Sequence, residues 1–240
     1  MNRIVQLARS GKQLFVALRL DRVVEPLNPL LQRVSFMSKQ ARWCRAHPSP
    51  FAEPEPGRIR HEKRYALYRH VLETERLDAE IDYLEFGVGQ GHSFKWWVSN
   101  VAHPGARFVG FDTFTGLPET YGVYRPGTFS TGGATPDVGG DPRCRFEAGL
   151  FQDTLPRFLE TYAPGRRKLI HIDADLYSST LFVLTRLAPL LREGDVLLFD
   201  EFGVPTHEFR AFDDFVSAYR VRYELIGAVN NYLQVAIRVA

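Results

Sequence analysis

The stretch Ile81–Gly91 reads IDYLEFGVGQG, a short apolar run that ends on glycines at 87, 89 and 91. An apolar run of this length bounded by glycine predicts a strand, here Ile81 to Phe86. The residues after it, Ser93 to Val101, carry helical spacing. A glycine-rich strand-to-helix turn lets backbone approach a ligand closely, and the helix start offers unpaired N–H donors. A dinucleotide fingerprint spaces its glycines G-x-G-x-x-G. Here the third glycine comes one residue early, and His92 stands where it is expected. The pattern E-x-G-x-G-x-G suits instead a ligand with an amino-acid end, such as S-adenosylmethionine. Read without its neighbours, the same turn is also a plain structural connection.

Working outward, helix and strand alternate. Arg60 to Leu77 reads as a helix, Arg107 to Asp112 as a second strand, and Phe146 to Ala148 as a short third one. Asp153 to Tyr162 is helical, Lys168 to Asp173 a strand, Ser179 to Leu191 a helix, Asp195 to Asp200 a strand and His207 to Tyr219 a helix. This order predicts an α/β fold with a parallel sheet and helices on both faces. Tyr223 to Val229 and Tyr232 to Val239 are joined only by Asn230-Asn231. Two residues cannot carry a parallel crossover, so the pair is a hairpin. The expectation is a mostly parallel seven-stranded sheet with one antiparallel strand near its edge.

The 240 residues, 45% hydrophobic and 24% charged, suit one large α/β domain with an extension and exclude wholesale disorder. No apolar run is long enough for a membrane-spanning helix. Cys44 and Cys144 are too few for a disulfide framework or a cysteine zinc site, so a reducing, cytoplasmic setting fits. The N-terminus shows no secretory signal pattern. Residues 1–50 hold nine Lys or Arg and two acids, a charge of +7, so the rest carries −5 against a total of +2. An acidic body argues against a nucleic-acid groove.

The basic arm reads as helical through Leu7, Leu14, Phe15, Leu18, Leu30, Leu31, Val34 and Phe36, with Pro26 and Pro29 dividing it. It is expected to pack on the domain or on a second copy in a homo-oligomer; peripheral contact with anionic membrane is the sharper alternative. His47 to Pro56 is a proline-rich linker. Residues 1–59 are thus read as an extension and 60–240 as the domain. Thr113 to Arg145 holds seven glycines and no clear element; it reads as a lid or substrate loop, with a disordered insertion as the alternative.

Five acids sit at predicted strand ends. Asp112, 27 positions after Glu85, can accept both ribose hydroxyls of a nucleoside. In His171-Ile172-Asp173-Ala174-Asp175, an extended chain puts His171, Asp173 and Asp175 on one face. Asp200 and Glu201 end the next strand. Carboxylates crowded at adjacent strand ends raise one another's pKa unless a cation neutralises them, and Mg²⁺ is the usual hard divalent ion. His92 and His207 could contact substrate or act as base, though exposed or capping roles are the plainer reading. His171 is expected to be packed in the sheet.

The blocks YLEFGVGQG, GFDTFTGLPE, DTLP, HIDADLYSST and LLFDEFG follow in this order over residues 60–240. Together they resemble the macrocin O-methyltransferase (TylF-type) family of S-adenosylmethionine-dependent, Mg²⁺-dependent sugar methyltransferases. The resemblance implies a Rossmann-like class I methyltransferase fold. It implies that Gly87, Gly89 and Gly91 floor the methionine end of the cofactor, that Glu85 steadies that loop, and that Asp112 holds the ribose. Ser93 at the helix start and Gly149, in a stretch near the adenine, join the cofactor-binding set. Asp173, Asp200 and Glu201 would hold the metal, Asp173 also bordering the cofactor. Glu201 replaces the usual Asp and is one methylene longer. Asp175 matches the general base, with His92 the second catalytic candidate. The acceptor would be a hydroxyl of a sugar or glycosylated small molecule. Two rivals stay open: an NAD-linked oxidoreductase, against which the glycine spacing argues, and a non-catalytic binding protein that keeps the fold.

Overall fold

The computed structural model describes residues 3–240, with side chains from residue 9. The side chains of Arg3 and Leu7, which enter the arm's charge and apolar pattern, lie outside the described residues. Seven strands form one sheet: β1 (Ile81–Phe86), β2 (Arg107–Asp112), β3 (Cys144–Ala148), β4 (Arg167–Ile172), β5 (Val196–Phe199), β6 (Tyr223–Val229) and β7 (Gln234–Val239). Their spatial order is β3-β2-β1-β4-β5-β7-β6. All neighbours up to β5 are parallel, and β7 is antiparallel to both β5 and β6. The expected sheet, with its single antiparallel strand beside the edge, is therefore present.

Strand alternation splits the core into two layers. Leu84, Phe86, Ile170, Ile172, Leu197 and Phe199 face the helices α6 (Phe151–Thr161), α7 (Tyr177–Leu187) and α8 (Glu208–Tyr219). Tyr83, Phe108, Leu169, Val196 and Leu198 face α4 (Arg64–Thr74) and α5 (His92–Asn100). Being covered on both faces, the central strands read as continuous apolar runs. From β1 the chain winds outward to β2 and β3, then returns to β4 on the other side. The gap above the carboxyl ends of β1 and β4 is thus a topological switch point, the place where open α/β sheets bind ligands.

Two sequence expectations need correction. The hairpin link is four residues, 230–233, because Asn230, Asn231 and Tyr232 all take positive φ. The arm is helical, as α1 (Arg3–Ala17), α2 (Asp21–Val24), a 3-10 turn and α3 (Asn28–Ala46); the 3-10 turn that holds Pro26 divides it as expected, but a second division is present. Pro26 and Pro29 sit in first turns, where their missing N–H costs nothing. The second break, which no proline marks, falls at 18–20, where Arg19 has φ +51°.

Among the described residues, part of α3 is seated on the domain. Phe36, Lys39, Gln40 and Trp43, at helical spacing, form the seated side of α3. Lys39 pairs with Asp213 (3.1 Å), and Trp43 donates to the Tyr223 hydroxyl (2.8 Å) within a cage of Phe202, Phe209 and Phe212. Leu30, Leu31, Val34 and Met37, on another side of α3, are exposed.

A carboxylate-lined cleft above the β1–β4 gap

A cleft of about 580 Å³ opens over the switch point. Its floor is the β1–α5 turn. Gly87, Gly89 and Gly91 all have positive φ, which only glycine takes without strain. A Cβ on Gly87 would lie 1.8 Å from the Asp173 carbonyl oxygen, so the turn presses directly on the β4 end. A Cβ on Gly91 would meet the Pro136 ring at 2.6 Å, so the long 113–145 loop is seated on this turn. A Cβ on Gly89 would meet nothing within 4 Å. Of the three glycines, Gly89 alone has space above it for a ligand.

Asp112 ties the turn to β2. Its Oδ2 accepts the N–H groups of Val88 (2.8 Å) and Gly89 (2.7 Å), and its Oδ1 accepts that of Phe114 (2.7 Å). The carboxylate still lines the cleft. Glu85 is buried below the turn, accepting from the Tyr83 hydroxyl, and burial raises its pKa. Ser93 reaches the cleft and lies 3.1 Å from the Tyr68 hydroxyl.

The cleft's other wall is acidic. Asp173, Asp175, Asp200 and Glu201 line it together. β4 ends at Ile172, so strand alternation does not reach Asp175, which has φ +57°. His171 lies deeper than the acids, fully buried between Tyr68 and Tyr83 as a histidine packed in the sheet, and does not line the cleft. Burial pushes the Asp175 carboxyl up to about 6, with Asp200 and Asp112 adding to the shift. Burial and then Asp200 and Asp175 push Glu201 up to about 8. Asp173 is raised well above the usual range by burial, then by Asp200 and Asp175.

Three residues that carry no motif complete the site. Glu208, the first residue of α8 and fully buried, accepts the N–H of Glu201 (2.9 Å) and of Ala174 (3.3 Å), binding the two acidic loops to each other. Arg64, opening α4, places Nη1 3.1 Å from Asp200 Oδ2. Tyr68, one turn on, donates to Asp200 Oδ1 (3.4 Å). In sequence, Glu208 reads only as a first-turn acid and Arg64 as a surface cation. Neither signal distinguishes them from many others.

The structure thus gathers Glu85, Gly87, Gly89, His92, Ser93, Asp112, Asp173, Asp175, Asp200 and Glu201 along one cleft. Gly91 and Gly149 fall just outside it, the neighbours Leu150, Phe151 and Gln152 taking the second position. His92 is exposed at the rim, with Nε2 3.2 Å from Gln90 Oε1. Tyr121, Tyr124 and Phe129 of the long loop roof the cleft, Tyr121 edge-on to His207 at 4.9 Å. The loop is an ordered roof: the Phe114 carbonyl accepts the N–H groups of Thr131 (3.1 Å) and Gly133 (2.8 Å).

The all-oxygen donor set of Asp173, Asp200 and Glu201 suits a hard divalent ion in chemistry. As they stand, no three acidic, histidine or cysteine side chains among the described residues converge to hold one.

Residues 84–202 match the family model described as "Methyltransferase domain". A tetracenomycin-glycoside 4'-O-methyltransferase of Streptomyces olivaceus is 39% identical over 84 residues, 35% of this chain and 28% of that protein. Mycinamicin III 3''-O-methyltransferase of Micromonospora griseorubida is 34% identical over 76 residues, 29% of this chain and 28% of that one. The matched stretch therefore spans under a third of each curated relative. Among solved structures, the calicheamicin methyltransferase CalS11 superposes with a TM-score of 0.57 at 25% identity, over 75% of this chain and 80% of its own. The fold is the Rossmann-like fold of class I methyltransferases, with the seven-stranded, mostly parallel sheet expected.

Proposed function

We propose that this chain is an S-adenosylmethionine-dependent O-methyltransferase acting on a hydroxyl of a sugar or glycosylated small molecule. The observation that carries the reading is one cleft with two complementary halves. The open Gly89 position beside Asp112 suits a cofactor, and Asp175, facing the same space, suits a base. The match over residues 84–202 and the names of the two curated relatives support it. The experiment that tests it is transfer of labelled methyl from S-adenosylmethionine to a panel of glycosides.

In this reading the sulfonium already activates the methyl group, and the chain's task is in-line positioning and proton removal. Gly89 lets the backbone approach the methionine end, Gly87 lets the turn press on the end of β4, and Asp112 faces the ribose. The acceptor oxygen attacks the methyl carbon, the carbon–sulfur bond breaks with its electrons going to sulfur, and Asp175 takes the hydroxyl proton. The products are the methyl ether and S-adenosylhomocysteine. Asp173, Asp200 and Glu201 would hold a divalent ion such as Mg²⁺, which when bound supplies Lewis acidity toward the acceptor hydroxyl.

The cleft's charge narrows the acceptor. Six carboxylates line it, Glu85, Asp112, Asp173, Asp175, Asp200 and Glu201, against Arg64 as the one Lys or Arg among the described lining residues. A negative field favours the cationic cofactor and repels phosphorylated acceptors. Uncharged glycosides are expected to exceed nucleoside diphosphate sugars by about tenfold or more in kcat/KM. The reverse preference in a paired assay would contradict this assignment.

The arm is assigned to a second copy of the chain. Eleven large apolar side chains from Leu14 to Met37 are exposed, a patch beyond what monomers usually show. Leu14, Phe15 and Val16 are consecutive, so they cover more than one side of their helix, which suits burial in protein better than a single membrane-facing stripe. Sedimentation velocity is expected to show an oligomer that Leu31→Glu with Val34→Glu reduces to monomer. A wild-type monomer that floats with anionic vesicles would put membrane in place of the second copy. No described helix is long and apolar enough to cross a membrane. Two unpaired cysteines suit a reducing cytoplasm.

A further inference from the structure

The carboxylates that would hold a divalent ion already have a cation among them. Arg64 Nη1 lies 3.1 Å from Asp200 Oδ2, with the two side chains only 16% and 3% exposed. The pair is built from a distance in sequence: Arg64 begins α4, and Asp200 follows β5. Tyr68 closes the other oxygen of the same carboxylate at 3.4 Å, so both Asp200 oxygens are engaged by α4. Gln234 Nε2 donates to the Asp200 carbonyl at 3.1 Å, which fixes the backbone beneath. Asp200 is therefore not a vacant ligand held open to the cleft.

A divalent ion on the same oxygen would meet the guanidinium at close range. Two cations so close repel strongly in a site screened from water. A guanidinium is also bulky and planar, and its N–H groups point along the carboxylate lone pairs that an ion would take.

We propose that Arg64 is a positioning residue that serves as the chain's own counter-cation for Asp200, and that a divalent ion engages Asp200 only by displacing it. The inference rests on Asp173, Asp200 and Glu201 being the metal-holding set. Arg64 then sets the threshold for metal entry. With the guanidinium seated, the acid wall is partly neutralised and both Asp200 oxygens are engaged. With it displaced, all three carboxylates are available.

The test is Mn²⁺ binding to the full-length protein without cofactor or acceptor, followed by the electron paramagnetic resonance of unbound Mn²⁺. S-adenosylhomocysteine binding is measured on the same samples. Arg64→Met is expected to bind Mn²⁺ about tenfold or more tightly than wild type, since the full negative charge of the cluster is exposed. Arg64→Lys keeps the charge without the fork and is expected to fall between the two. Asp200→Asn in the Arg64→Met background is expected to abolish the gain. If Arg64→Met does not fold, Arg64→Lys carries the test, and unchanged Mn²⁺ affinity in it overturns the proposal. Equal, tight Mn²⁺ binding in wild type and Arg64→Met overturns displacement while leaving the metal-holding set intact. No Mn²⁺ binding in any variant that still binds S-adenosylhomocysteine removes the metal-holding set and the displacement with it.

Discussion

Asp175→Asn is expected to lower kcat by about 10²–10⁴-fold while leaving S-adenosylhomocysteine binding at the wild-type level. Asparagine is the right probe because Asp175 sits at φ +57°, a conformation asparagine tolerates better than most residues. The substitution therefore removes the proton acceptor and little else. Burial, then Asp200 and Asp112, raise the Asp175 carboxyl to about 6. A base works when ionised, so the sign is fixed. In EDTA-treated enzyme, the kcat/KM that remains should climb between about pH 5 and 7 through a midpoint near 6 and then level off. The residual activity of Asp175→Asn should lack that rise. The competing base is His92, exposed at the rim with Gln90 as its polar neighbour. A larger loss from His92→Gln than from Asp175→Asn would transfer the role to it.

The second large effect concerns the glycine turn. Gly89→Ala is expected to weaken S-adenosylmethionine binding by about tenfold or more while the protein stays folded. The new methyl has no protein atom within 4 Å, so it projects into the space assigned to the cofactor. The positive φ of 51° adds strain of roughly 1–2 kcal/mol, which a domain of ordinary stability survives. Gly87→Ala is the contrasting case. Its methyl would lie 1.8 Å from the Asp173 carbonyl oxygen, which has no flexible end to move aside. That variant should lose both cofactor binding and thermal stability. Isothermal titration with S-adenosylhomocysteine and a thermal melt on each variant separate the two. Unchanged binding in Gly89→Ala would move the cofactor off the turn.

The strands Ile81–Phe86, Arg107–Asp112 and Tyr223–Val229 stand where the sequence pattern puts them; for the first two, apolar runs covered on both faces leave little choice of element. The antiparallel β7 followed from a chain too short to cross over. The link to it came out longer because a third residue, Tyr232, joins the two asparagines in positive φ, which no spacing rule announces. In the cleft, the residues on the glycine turn and at strand ends were legible, since the fold carries every strand end to one edge. Gly91 stands outside the cleft lining, with Pro136 beside the place its Cβ would take, a neighbour that glycine spacing does not announce. Alternation did not place Asp175, because it stops where β4 does and Asp175 takes φ +57°. Arg64, Tyr68 and Glu208 were not legible. They reach the acids from other elements through tertiary packing, and each looks ordinary in its own segment.

The arm shows the same division. Its helical character followed from apolar spacing, whereas the seating of Trp43 against Phe202, Phe209 and Phe212 depends on residues some 160 positions further along. That seating matters to the cleft, because Gln40 Nε2 donates to the carbonyl of Phe202, the residue after Glu201.

The central claim is that the β1–α5 turn holds S-adenosylmethionine, and calorimetric titration of the full-length protein with S-adenosylhomocysteine tests it most directly. The expected result is a single saturable site, displaced by S-adenosylmethionine and weakened by Gly89→Ala. A flat titration with folded wild-type protein would contradict it, and would leave a methyltransferase fold serving as a binding protein.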